Sequence, residues 1–122
     1  MGNPNRVAGQ AVIKVDGDTF ETDGNSTMEL GGSVRSAVEG DYQAGSFRET
    51  TTPSKIEMSV LLKGGTRIAD LRKIDNGTVT LQTDVGQTYL MRNAYCADVI
   101  SFSTNEGKAR LVFMGPPAEE LV

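Results

Sequence analysis

The chain has no histidine and no tryptophan, and its single cysteine is Cys96. Without histidine, the commonest general base and the commonest transition-metal ligand are both missing. That argues against triad hydrolysis, zinc hydrolysis and most proton-shuttle chemistry. One cysteine allows neither an intrachain disulfide nor a multi-cysteine metal site. No run of about 18 apolar residues exists that could span a bilayer. The N-terminus, Met1-Gly2-Asn3-Pro4-Asn5-Arg6, lacks the apolar centre of a secretory signal. The expectation is synthesis in the cytoplasm with no membrane insertion by this chain. Gly2 raises myristoylation, but Arg6 stands where that motif wants Ser or Thr. Basic charge is also scarce. The formal net charge is −4, and Asp16, Asp18, Glu21, Asp23 and Glu29 fall in a stretch without one basic residue. Such a surface repels phosphate backbones, because nucleic-acid affinity rests on Lys and Arg displacing counterions.

What is abundant is glycine, 14 in 122 residues against a usual share of about 7%, together with period-2 alternation. The length suits one domain, 1–122, with a real core. In Thr78-Val79-Thr80-Leu81-Gln82-Thr83-Asp84, Val79 and Leu81 point one way and Thr78, Thr80, Gln82 and Asp84 the other. Val85-Gly86 interrupts, and further strands are expected over 87–96, 98–103 and, after the turn Asn105-Glu106-Gly107, over 108–114. Upstream, 10–15 and 19–22 form a hairpin about Asp16-Gly17-Asp18. Lys55 to Leu62 alternates with Ile56, Met58, Val60 and Leu62 on one face. Strand-like patches over 28–38 are broken by Gly31-Gly32. One helix of about two turns is expected, with Thr66 as cap, Ile68, Leu71 and Ile74 as its apolar stripe, and Asn76-Gly77 as a left-handed C-cap. Residues 1–9 read as a polar arm, 39–53 as a mobile loop or extended hairpin, and 116–122 as a tail beginning at Pro116-Pro117. The fold class is therefore mainly β: an antiparallel sandwich or barrel with one short flanking helix and that long loop or hairpin.

The chemical constellations favour bland explanations. Asp16-Gly17-Asp18 with Asp23-Gly24-Asn25 resembles a calcium loop, yet Glu21 occupies the position where an EF-hand needs glycine. Lys63-Gly64-Gly65-Thr66 lacks the first glycine and the residue order of a P-loop. Cys96 sits inside a strand with no histidine to activate it, so it behaves as a small hydrophobe. Glu57 and Asp84 are strand-face carboxylates that could pair for acid–base work, but without tryptophan there is little aromatic platform for a sugar. No catalytic, cofactor-binding or metal-ligating residue is assigned. Tyr42 and Phe47 differ, being apolar side chains in a long polar segment, either waiting for a partner surface or folded back on their own sheet.

In their order, these segments resemble the bacteriophage tail tube proteins of contractile-tailed, Mu-like phages. The resemblance rests on Arg6-Val7-Ala8-Gly9-Gln10-Ala11 leading into Ile13-Lys14-Val15-Asp16-Gly17. It continues through the helix Ile68 to Ile74, then Thr78 to Leu81, Asp84 to Tyr89, Arg92-Asn93-Ala94-Tyr95, and Gly115-Pro116-Pro117-Ala118-Glu119-Glu120. It covers more than half the chain and is weakest over 28–52. It implies a structural virion protein, made in the host cytoplasm and placed in the virion tail. Hexameric rings would stack into the inner tube, the conduit through which DNA passes without specific binding, and the chain would not be an enzyme. The implied partners are other copies of the chain, the tail sheath, tape measure, baseplate and tail terminator proteins, and no cofactor is implied. By the same analogy Tyr42, Phe47 and Arg48 are expected at contacts between rings, and Thr78, Thr80, Gln82 and Asp84 on the lumen. The competing class is a small soluble β-sandwich that binds a ligand or serves as an adaptor.

Overall fold

The computed structural model describes residues 3–22, 26–63 and 68–121. Their elements are β1 (Ala11–Val15), β2 (Asp18–Phe20), β3 (Thr27–Glu29), β4 (Gly32–Glu39), β5 (Ala44–Thr52), β6 (Ser54–Leu61), α1 (Ile68–Arg72), β7 (Gly77–Thr83), β8 (Thr88–Ser103), β9 (Lys108–Gly115) and β10 (Glu119–Leu121). All the pairings are antiparallel, and the strand order β2-β1-β7-β8-β9-β6-β3 makes one curved sheet. Beyond β2, Thr22 bridges to Val60 and the Leu61 N–H donates to the Glu21 carbonyl at 2.9 Å, which brings β2 round to β6 and closes a barrel.

The alternation that predicts these strands also fills the barrel. Ile13 and Val15 of β1, Val79 and Leu81 of β7, Met91 and Ala94 of β8, Leu111 and Phe113 of β9, and Ile56, Met58 and Val60 of β6 meet in one buried cluster. The hairpin turn forms where expected. Asp16 (φ 51°) and Gly17 (φ 90°) both take the left-handed conformation of the turn that suits strand twist.

Four expectations need correcting. The strands expected over 87–96 and 98–103 are one 16-residue strand, β8. Asn93 at φ 52° bends it, and a register shift between Ala97 and Ser101, with Asp98 at φ 60°, bulges it. Its first half pairs with β7 and its second with β9, so a single strand serves both sides of the barrel. The helix is shorter than its apolar spacing suggests, five residues with Leu71 buried, and the proposed cap at Thr66 lies outside the described residues. Gly77 is not a helix cap. It opens β7 as a buried residue, and a Cβ there would meet Ile74 Cγ2 at 2.7 Å and the Asp16 carboxylate at 3.3 Å. The need is for closeness of approach rather than for a left-handed φ. The C-terminal segment does not leave the sheet at Pro116-Pro117 either, since β10 adds to β8 with Glu119 opposite Leu90.

Candidate functional site

Residues 32–52 form a two-stranded ribbon of their own, β4 against β5, in register from Gly32–Thr52 to Val38–Ser46. Of the two forms expected for 39–53, the extended hairpin is the one found. Only 40–43 is turn, closed by Gly40 N–H donating to the Gln43 carbonyl at 3.1 Å. Eight residues at about 3.3 Å each give the arm a reach of roughly 25 Å. Nearly every residue of both strands is exposed. The ribbon is tied down at its base. Gly31 (φ 74°) packs its backbone against Pro53, where a Cβ would come within 2.6 Å of the Pro53 carbonyl carbon, and the Ala118 N–H donates to the Leu30 carbonyl at 2.9 Å.

Opposed residues share a face, so the register sorts the ribbon's chemistry. One face carries Arg35, Ala37, Phe47 and Glu49. There Arg35 Nε donates to Glu49 at 3.1 Å, and the guanidinium lies 5.8 Å from the Phe47 ring centre. The other carries Val34, Ser36, Val38, Ser46, Arg48 and Thr50. Phe47 and Arg48, expected together, thus point in opposite directions, and Tyr42 stands at the tip, fully exposed. Phe47 is 58% exposed, and Val34 and Val38 are exposed on the opposite face. The tip tyrosine does not fold back onto its own sheet.

The second candidate group divides. Thr78, Thr80 and Gln82 do share the outward face of β7. Thr80 sits between Lys14 of β1 and Leu90 of β8, and Gln82 between Val12 and Thr88. Asp84 does not continue that row. β7 ends at Thr83, and the Asp84 carboxylate is taken up by the N-terminal arm. It accepts the Gly9 N–H at 3.2 Å and Arg6 Nη2 at 3.0 Å, while the Asp84 N–H donates to the Gln10 carbonyl at 3.0 Å. The Gly9 and Arg6 donors hold its carboxyl below the usual carboxylate range. Asp84 is a clamp for the arm, and Arg6, its partner 78 positions away, carries no local sequence signal of that role.

The remaining chemical candidates stay bland. Glu57 is bonded by Lys55 Nζ at 2.9 Å and Arg110 Nη2 at 3.0 Å, and both lower its pKa. Glu57 is held as the carboxylate by Lys55 and Arg110, and Asp84 by the Gly9 N–H and Arg6, so neither is poised as a general acid. Burial pushes the Cys96 thiol up, away from nucleophilic behaviour. The Asp16 carboxylate accepts the Thr78 N–H at 2.8 Å, which ties the β1–β2 turn to β7, and Asp23-Gly24-Asn25 lie outside the described residues. Among the described residues no group of three or more His, Cys, Asp or Glu side chains could hold a metal ion. No described helix is long and apolar enough to cross a membrane.

The family model described as "Phage tail tube protein" matches residues 4–120. The chain belongs to the phage tail tube family. It is 33% identical over 103 residues to the Mu-like prophage FluMu tail tube protein of Haemophilus influenzae, covering 84% of this chain and 86% of that one. Solved structures share its fold at low sequence identity. The anti-feeding prophage tube-terminating cap aligns with a TM-score of 0.67 at 8% identity, over 100% of this chain and 93% of that one. The sheath/tube terminator of an extracellular contractile injection system gives 0.65 at 13% identity, over 99% of both chains. The sheath–tube complex of that kind of system gives 0.61 at 11%, over 93% and 89%. A tail tube protein is a structural component of the virion tail and not an enzyme. The mainly β architecture expected from the sequence is the one found.

Proposed function

We propose that this tail tube subunit assembles into hexameric rings that stack into the inner tube of a contractile tail, the conduit for DNA ejection. The observation that carries the reading is the β4–β5 ribbon. A closed barrel with a filled core has no folding need for a 21-residue arm with both faces in solvent, and such exposed apolar residues mark an interaction surface. The ribbon, with Tyr42, Phe47 and Arg48, serves contacts between rings. It is mobile in the free subunit, since it buries too little apolar area to offset its ordering entropy, and neighbouring copies order it. The face of Thr78, Thr80 and Gln82 lines the channel. It offers DNA hydroxyls and an amide, and the chain's net charge of −4 opposes adhesion of phosphates to the wall. The partners are the sheath around the tube, the terminator at its end, and the tape measure and baseplate proteins. The similarity in fold to a tube-terminating cap and to chains of a sheath–tube complex supports this setting.

Electron microscopy of the purified protein, at high concentration or co-expressed with its tail partners, tests the reading. Rings and stacked tubes are expected. Monomers under every condition would overturn it.

A further inference from the structure

A second exposed apolar surface lies on the barrel itself, where β8 bulges. The register shift between Ala97 and Ser101 throws Val99 into solvent, 89% exposed, and leaves Phe102 63% exposed. Bulges re-aim side chains in this way at sheet edges. This half of β8 pairs with β9 on one side, and on its other edge no described strand pairs with it. Between that edge and α1 runs a groove of about 460 Å³, lined by Val99, Ile100 and Phe102 from β8 and by Ile68, Ala69 and Arg72 from the helix. Two large apolar side chains beside a strand edge that no described strand covers, its Cys96 N–H donating to the Ile74 carbonyl, are a liability unless something covers them. Asp98 also lines the groove. Among the described residues Arg72 makes no ion pair.

The arm's tip has the complementary chemistry. Tyr42 is fully exposed between Asp41 and Gln43, and Glu39 completes an acidic, aromatic end. Neither Asp41 nor Glu39 makes an ion pair among the described residues.

We propose that the β4–β5 tip of one subunit docks in the α1–β8 groove of the next, with Tyr42 against Val99 and Phe102 and the tip carboxylates facing Arg72. This rests on the assembly reading above and adds to it the receiving surface. The contact is heterologous, joining two different patches of identical chains, so each subunit gives one tip and receives another, and repetition propagates without a two-fold axis. The occupant is a second copy because Arg72, without an ion pair among the described residues, meets an acidic tip carried by the same chain. An aromatic anchor seated in an apolar pocket, with charges at its rim, is the usual composition of an energetically dominant contact.

Two measurements test this. In a Cys96→Ala background, Tyr42→Cys protein is mixed with Val99→Cys protein, assembled, checked by electron microscopy and oxidised. Disulfide-linked dimers on a non-reducing gel are expected from the mixture and from neither variant alone. Assembled tubes without cross-links would overturn the docking while leaving the tube function standing, whereas wild-type protein that never assembles would overturn both. In the second measurement, Arg72→Glu should lower the assembled fraction at least tenfold, and adding Asp41→Arg to it should restore most of the loss. Arg72→Glu protein that assembles like wild type, or a double variant no better than the single, would overturn the docking.

Discussion

β5 and β6 follow one another with only Pro53 between them, and they have opposite lives. Along β6 every second residue is buried, with Ser54, Ile56, Met58 and Val60 inside the barrel. Along β5, at nearly the same length, each of the first eight residues is exposed. Both are well-formed strands with complete antiparallel partners. Backbone pairing alone therefore does not say what a strand is for. β6 is held in place by apolar area removed from water, and β5 by its ladder with β4 and by the anchored base at Gly31 and Pro53. The division assigns stability to the barrel and association to the arm, and substitutions on the two sides should separate the properties.

The largest loss of stability should come from the barrel. Phe113 is fully buried at the centre of the cluster, and Phe113→Ala should cost about 3–5 kcal/mol in denaturant unfolding. At the junction of the two regions, Gly31→Ala places a Cβ in a left-handed position against the Pro53 backbone. A cost of about 1–3 kcal/mol is expected, and because the strain falls at the arm's root, hydrogen exchange across β4 and β5 should rise as well. A smaller and local effect is expected at the N-terminal clamp. The Asp84 carboxyl sits below its ordinary value of 3.8 in the folded chain, so the clamp is complete above that pH and is lost as pH falls through the lowered value. Exchange of the Gly9 amide should accelerate in that window. Asp84→Asn should make trypsin cleave after Arg6 faster at neutral pH, with little change in global unfolding. The smallest change in stability should follow Val34→Thr combined with Phe47→Ser, within about 0.5 kcal/mol by thermal unfolding. That pair should nonetheless block stacking in electron micrographs. A large loss of stability from it would break the division between arm and barrel.

How much of this was legible in the sequence follows the same division. Wherever one face of a strand is buried, as in β6, β7 and β9, the apolar residues alternate and the strand can be read off directly. In the arm both faces meet water, so no period-2 signal exists and the polar segment 39–53 looks like a loop. β8 reads as two strands because its bulge at Asp98 breaks the pattern in the way a turn would. Carrying the alternation of β7 on to Asp84 runs one residue beyond the strand's end, where the chain has already turned. The groove residues Val99 and Phe102 carry no signal in the sequence. Single apolar residues near a break in pattern are common, and only the folded chain shows them exposed side by side.

The continuity of β8 has a mechanical consequence. Adjacent strands of a barrel are normally joined through hydrogen bonds, which slide or unzip when the two sides are pulled in different directions. Here β7 and β9 are gripped by consecutive halves of one chain, bent at Asn93, where the close-packed Gly115 leaves room for the bend. A shearing load entering through one side of the subunit is thus carried to the other along covalent bonds, so a tube driven forward by its tail would transmit thrust through peptide backbone rather than through a seam.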